Sequence, residues 1–345
     1  MLYTFIAFFV FSTACQDASS KNTQDSATPA DDTADSTSPP IEIDEGDGLI
    51  LPVLSAEGGE LLWIDHESGN LNQTWNHSAI HAQPWGDHLI LLDEDINGNS
   101  PVFIRELDAS GNEVRAFELP NAHHTISVVG DKLYYLYAER TGVPKIFDSV
   151  RWVDLNTNDT GILLDTLDIL DENLLNISYG ENDITHANTL VWESAQERFY
   201  LSFAGINAVW TFDLSGQVDL VFLGRGAEAS PYKSGTLCVG GDFNHPHGGL
   251  GRFPGELFVL SNNEDLSEVL HYQCDSEALG LVDSYPPPYE NFVSLAGGNL
   301  ALTEESLIIN WGFTGVLEAR TIGTMTPLWM YESAFGAGFG FMTWY

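Results

Sequence analysis

Histidine is the residue type whose spacing along this chain could support chemistry. His81 precedes Gly86-Asp87-His88-Leu89, His124 precedes Gly130-Asp131-Lys132-Leu133, His247 precedes Gly255-Glu256-Leu257-Phe258, and His186 belongs to the same set. Each is followed by an apolar stretch, a tight turn and a second apolar run, the pattern of one β-hairpin copied several times. An uncharged imidazole is a good nucleophile near neutral pH and a common metal ligand. Copies stacked around an axis would gather these imidazoles at one place. Taken singly, each is a hydrogen-bonded strand residue; the shared position gives the set its weight.

The elements that must position them are strands. From Gly48 to Tyr345 short apolar or alternating runs are separated by turn signals, as in Leu61-Leu62-Trp63-Ile64-Asp65 before Ser68-Gly69-Asn70, or Val209-Trp210-Thr211-Phe212-Asp213 before Ser215-Gly216. Long helical periodicity is lacking, and Thr160 to Leu175 reads as a strand plus a loop. The strand-Asp-x-x-Gly hairpin and the histidine hairpin alternate with a joint repeat of about 40 to 60 residues, the spacing of propeller blades. Copies start near Glu60, Val102, Ser149, Ala208 and Glu268, with a degenerate sixth over Leu317 to Tyr345. This predicts an all-β, six-bladed β-propeller over residues 48–345, with the histidines on inner strands facing a central channel. Gly224 to Asp242 reads as an insertion between the two halves of the fourth blade. The nine tryptophans and the Phe335 to Phe341 tail are expected to pack between blades.

Three segments carry a family resemblance: Ala122-His123-His124-Thr125, Thr185-His186-Ala187-Asn188-Thr189-Leu190-Val191-Trp192, and Asn244-His245-Pro246-His247-Gly248. Extended through Phe199 to Asp213 and Gly255 to Asn263, they resemble the histidine motifs of bacterial arylsulfate sulfotransferases, which are six-bladed propellers. The resemblance covers Asn121 to Asn263 in short motifs. It implies transfer of a sulfuryl group from a phenolic sulfate donor to a phenol acceptor through a sulfohistidine, without a nucleotide sulfate donor. It places His247 at the family nucleophile and His124 and His186 at its supporting histidines, with His123, His245, Asn188 and His81 as substrate-binding positions. Which of His123 and His124, and of His245 and His247, faces the channel stays open. The chain departs from the family at Ala204, where the family has an arginine; Arg225 and Arg252 are nearby in sequence. That departure favours a second expectation, a noncatalytic propeller that binds a ligand or protein at the channel mouth.

Composition bounds the setting. Twelve Lys+Arg against 50 Asp+Glu give a formal net charge of -38, which leaves no basic face for nucleic acid or for anionic lipid. Residues 1–15, apolar through Phe11 and ending Ser12-Thr13-Ala14-Cys15, resemble a bacterial lipoprotein signal, with Cys15 as lipid anchor. Residues 16–47, rich in Ser, Thr, Asp, Ala and Pro, read as a disordered acidic tether. Gln16 after the cysteine points to the outer membrane or cell surface, with membrane contact through the anchor only. In that oxidising setting Cys238 and Cys274 are expected to pair. No cofactor is expected. The run Asp93, Asp95, Asn97, Gly98 resembles the start of a calcium loop but lacks its closing acid, and a hairpin turn is the favoured reading. Zinc or copper on His123-His124 and His245-x-His247 is an alternative without a completing Cys or carboxylate.

Overall fold

In the computed structural model, which describes residues 48–54, 59–93, 102–139, 145–172, 182–263, 266–289, 297–333 and 337–344, the strands alternate with period two, yet both of their faces are apolar. Side chains on successive residues of a strand point to opposite faces. In Leu257-Phe258-Val259-Leu260, Leu257 and Val259 pack toward the preceding sheet and Phe258 and Leu260 toward the following one. Tyr200 likewise turns away from Phe199 and Leu201. Strands apolar on both sides must sit between two other sheets, and a closed ring supplies that arrangement without an open stack.

The ring is a six-bladed β-propeller. Starting at inner strands, the blades run His81–Trp85 to Glu113–Glu118, Ala122–Val129 to Thr160–Asp165, Ala187–Glu193 to Val218–Leu223, Pro246–Leu250 to Ala278–Tyr285, and Asn299–Leu302 to Pro327–Glu332. The remaining blade, first in chain order, joins both ends of the propeller: Gly48–Leu54, Glu60–Asp65 and Leu71–Trp75 are completed by Gly338–Phe339 and Thr343–Trp344, both antiparallel to Gly48–Leu54. Six apolar clusters, one at each blade-to-blade interface, form the core. All nine tryptophans belong to them, as do Phe339 and Phe341; Phe335 and Gly336 lie outside the described residues.

The repeat is real, but its phase differs from the blades. The copies at Glu60, Val102, Ser149, Ala208, Glu268 and Leu317 begin at the third strand of each blade, counting the C-terminal strand as the first of the opening one. The Asp-led turns that signal them, Asp-x-x-Gly at Asp108 and Asp213 and one residue longer at Asp65, follow that strand. In them Asp65, Asp108 and Asp213 accept backbone N–H bonds from Ser68, Ser110 and Ser215 at 2.7 to 2.9 Å, while Gly69, Gly111 and Gly216 take φ of 70°, 80° and 81°. Asparagine and glycine tolerate the left-handed region best, and Asn158 serves in the third blade. Residues 224–242 do not split a blade as expected from sequence. They follow the four antiparallel strands of the fourth blade and add Thr236–Cys238 as a parallel fifth strand. The segment from Thr160 is a strand to Asp165 and then one helical turn, Thr166–Ile169, capped by Asp165.

Around the axis, polar side chains of the inner strands bond each blade to the next. His81 Nδ1 accepts from Ile126 N–H at 3.0 Å, and Thr125 Oγ1 from Leu190 N–H at 2.8 Å. Asn188 Nδ2 donates to Pro246 O at 3.0 Å, and His247 Nδ1 accepts from Gly297 N–H at 3.1 Å. Asn299 Nδ2 donates to Met342 O, and Gln83 Nε2 to Thr343 Oγ1, both at 2.7 Å. Apolar packing holds the blades outside; this polar ring sets their register inside.

Cys238 and Cys274 form a disulfide with a Cα separation of 5.7 Å, across 36 residues of sequence. It fastens the added strand of the fourth blade to the fifth. Closing a loop of that length restricts the unfolded chain by about 4 kcal/mol. Replacing both cysteines by serine should lower unfolding free energy in urea by about that amount, with the far-ultraviolet spectrum unchanged; an unchanged midpoint would show that the bridge is not under load.

Candidate functional site

Three consecutive blades carry a histidine with left-handed backbone at or near the start of the inner strand: φ is 60° at His124, the third residue of its strand, and 43° at His186 and His245, just before theirs. Beside each, pairing with the second strand slips, between His123 and Ile126, Ala187 and Thr189, and Pro246 and Gly248. A bulge leaves a residue unpaired and re-aims its side chain. Left-handed φ on a non-glycine residue costs on the order of 1 to 3 kcal/mol and persists only where the surroundings enforce it.

Asp148, in the third blade, is one such enforcing group. Its carboxylate is 2 % exposed. Oδ2 accepts from Thr185 Oγ at 2.6 Å and from Ala187 N–H at 2.8 Å, so it grips the chain on both sides of His186. Oδ1 lies 2.9 Å from His123 Nε2. Burial alone would raise its pKa, but the contact with His123 and the bonds from Thr185 and Ala187 outweigh it and hold the group below the usual carboxylate value.

This carboxylate also fixes protons on the rings. The carboxylate charge 2.9 Å from Nε2 favours the proton there, with the N–H angled off Oδ1 so that no hydrogen bond forms, and His123 presents a lone pair at Nδ1. His123 Nδ1 is 2.7 Å from His124 Nδ1, so His124 supplies the proton of that bond and keeps its lone pair on Nε2. A second carboxylate does the same directly: His186 Nδ1 is 2.8 Å from Asp183 Oδ2, which leaves the His186 lone pair on Nε2. The rings of His124 and His186 are 5.7 Å apart, and those of His123 and His124 4.9 Å.

His247 joins this group with opposite polarity. It fills the bulge position that Asn188 fills one blade earlier. Its Nδ1 accepts from Gly297 N–H, so its proton is on Nε2. Burial, and then repulsion from His186 and His245, push its pKa down to about 3. His81 is likewise held neutral, at about 3, by burial.

The structure therefore brings His123, His124, His186, His245 and His247 to one end of the channel. Of the first pair, His124 meets His186 while His123 is 3 % exposed against Asp148. His245 is held at its backbone by Asn207 Oδ1, 2.8 Å away. Asn188 is fully buried, and its Oδ1 has no hydrogen-bond partner among the described residues. His81 stands apart: its ring and that of His124 each lie 6.1 Å from Phe341, and it lines a cavity of about 390 Å³ with Gln83, Trp192, Glu193, Asn299 and Trp344. Ala204 is buried directly behind His186, donating its N–H to His186 O at 3.0 Å. Arg252 grips Glu256 and Glu304 O, two residues beyond the far end of the inner strand Pro246–Leu250. Arg225 is at the histidine end, since Asn207 Nδ2 donates to its carbonyl, but its guanidinium is exposed and bound to Asp242 at 2.8 Å. Asp93 pairs with Arg105 at 2.5 Å; Asp95 and Asn97 lie outside the described residues, as do residues 1–47 with Cys15. No cluster of three or more metal-ligating side chains occurs among the described residues.

Sequence reasoning missed Asp148, Asp183, Thr185 and Gly297. Asp183 was open to detection, three residues before a histidine already singled out. Asp148 and Gly297 act from other blades, and nothing local marks them.

No protein-family model matches the chain, and no curated protein does. Solved propellers match its shape. A chain of a nidogen/laminin complex is 9 % identical with TM-score 0.51, covering 86 % of this chain and 98 % of that one. A functionally unknown protein from Desulfotomaculum acetoxidans is 11 % identical with TM-score 0.51, covering 84 % and 98 %. A protein of unknown function from Bacteroides caccae is 8 % identical with TM-score 0.50, covering 86 % and 98 %. These likenesses establish the fold.

A buried histidine whose pKa falls from 6.5 to about 3 on folding lends stability that is complete above pH 6.5 and is lost as pH drops toward 3, at about 1.4 kcal/mol per pH unit. His81→Gln removes that group from the balance. Between pH 7 and 5 the unmodified protein should lose about 2 kcal/mol more unfolding free energy than the variant, measured in urea; equal losses would mean that His81 is protonated in the fold.

Proposed function

We propose that the chain moves a sulfuryl group from a phenolic sulfate ester to a phenol through a histidine sulfated transiently within the imidazole cluster. The observation that carries this reading is the convergence of His124, His186 and His247 from three blades, the positions at which the chain resembles arylsulfate sulfotransferases, with the Asp183 carboxylate on His186 and Asp148 behind His124 through His123. Imidazole lone pairs supply the nucleophile, and the transfer divides into two displacements. The resembled family would place the sulfated residue at His247. The disulfide supports an extracytoplasmic location. In this reading the protein stands at the outer membrane or cell surface, held by a lipid on Cys15 and a tether over residues 16–47, with no cofactor and no nucleic-acid partner.

A second reading has its own observation. Sulfuryl oxygens gain charge in transfer, and deleting a stabilising donor typically costs a hundredfold or more in rate. Ala204 offers none, and the guanidiniums of Arg225 and Arg252 are bound to Asp242 and Glu256. A propeller that binds an uncharged ligand or a protein at the channel mouth would need no such cation.

The two readings part in one assay. A soluble chain starting after Cys15, given a chromogenic aryl sulfate and a phenol acceptor, should release phenol, form the sulfated acceptor and carry sulfate on histidine. Replacing His124, His186 or His247 singly by alanine should lower release at least tenfold, in keeping with loss of a positioned nucleophile or proton-transfer group. Absence of both phenol release and sulfohistidine would leave the binding reading.

A further inference from the structure

The channel does not end with the histidine cluster. On the third blade His123 and His124 are followed by Thr125 and Ser127, on the fourth His186 by Trp192 and Glu193, and on the fifth His247 by Leu250; the later residues of each strand line the cavity of about 390 Å³. We propose that this cavity, toward the other end of the same inner strands, is a second binding site, for an organic ammonium ion, with the Glu193 carboxylate as its counter-charge and Trp192 and Trp344 as its walls. Such a site is independent of sulfuryl transfer at the histidine end.

Most polar groups of the lining are already committed. Gln83 Nε2 is bonded to Thr343 Oγ1, Ser127 Oγ to Leu190 O and Asn299 Nδ2 to Met342 O, each bond joining one blade to the next. Glu193 is the exception. Its Oε1 accepts from Ala195 N–H at 3.1 Å, and no lysine or arginine lines the cavity. His81, the other titratable side chain of the lining, is held neutral by burial. Arg252, two residues beyond Leu250, is bound to Glu256. Glu193 therefore faces the cavity without a cation, and burial raises its pKa against the one bond from Ala195. A carboxylate drawn out of water in this way is stabilised by a partner that brings positive charge.

The donors present select among cations. A divalent metal ion takes six or more oxygen ligands, and this lining offers a single carboxylate. An ammonium group needs only one, through charge-assisted hydrogen bonds, and gains further from aromatic neighbours. Trp192 belongs to the fourth blade and Trp344 to the first, which stand opposite each other in a ring of six. Each indole is steadied by a ring of its own blade, Phe199 with centroids 4.8 Å apart and His66 at 5.2 Å. An apolar body carrying one ammonium thus has indoles on two sides and a carboxylate for its charge. The formal net charge of -38 draws cations toward the protein.

Isothermal titration calorimetry of the protein at pH 7 and low salt, with 2-phenylethylammonium chloride and with uncharged 2-phenylethanol, tests the assignment. The ammonium should bind at one site at least tenfold more tightly than the alcohol, and Glu193→Gln should abolish that difference. Equal affinities, no binding of the ammonium at millimolar concentration, or an unchanged difference in Glu193→Gln would overturn it. Position is read in the unaltered protein, which keeps the test open should the variant fold poorly. Nuclear Overhauser effects from the ring protons of the bound ammonium should fall on the indole protons of Trp192 and Trp344. Effects confined to other aromatic side chains would place the cation elsewhere on the acidic surface and overturn the site.

Discussion

One buried charge organises the histidine end of the channel. Asp148 is enclosed by protein, and a carboxylate so placed is tolerated only when its oxygens are met by donors. Its partners are two donors, the Thr185 hydroxyl and the Ala187 amide, and the His123 ring in electrostatic contact at 2.9 Å. Two belong to the next blade and flank His186; the third leads to His124. The requirement to satisfy one carboxylate therefore fixes two inner strands relative to each other. It also orients a chain of two imidazoles and holds His186 in a backbone conformation it would not adopt by itself.

The axis of a propeller is where the six sheets converge and where their side chains have least room. Here that space is used by polar groups that bond blade to blade, and His81 and His247 belong to that ring. A histidine in the ring serves as an acceptor through Nδ1 and is kept neutral by burial. His186, whose Nδ1 faces the Asp183 carboxylate, has the reverse polarity. The same residue type, recurring at similar points of the repeat, thus performs two jobs, and the partner of Nδ1 separates them.

Much of the fold could be read from the chain because its signals are local. Apolar runs of strand length, Asp-x-x-Gly turns and their recurrence pointed to six blades, and the pairing of Cys238 with Cys274 followed from the setting of the domain. The phase of the repeat did not follow, because the turn that signals each copy lies between the third and fourth strands, whereas the blade begins at the axis. Residues 224–242 looked like an interruption for the same reason. At the site, the histidines themselves were legible, but the bulges at His123 to Ile126, Ala187 to Thr189 and Pro246 to Gly248 were not, since an apolar pattern carries no mark of the two extra residues in the first or the one in each of the others. Those bulges decide that His124, not His123, meets His186. Asp148 reaches Ala187 across 39 residues of sequence, and its carboxylate in the chain reads like any strand-end aspartate.

The central claim is that proton positions on these rings are set by their partners, Asp183 and His123 on one side and Gly297 and Ile126 on the other. Long-range nitrogen–proton correlation spectra of the protein with nitrogen-15 histidine, recorded at pH 7, observe this directly. The account predicts His124 and His186 protonated on Nδ1 alone, and His81 and His247 protonated on Nε2 alone. His186 carrying its proton on Nε2, or His247 carrying its proton on Nδ1, would contradict it.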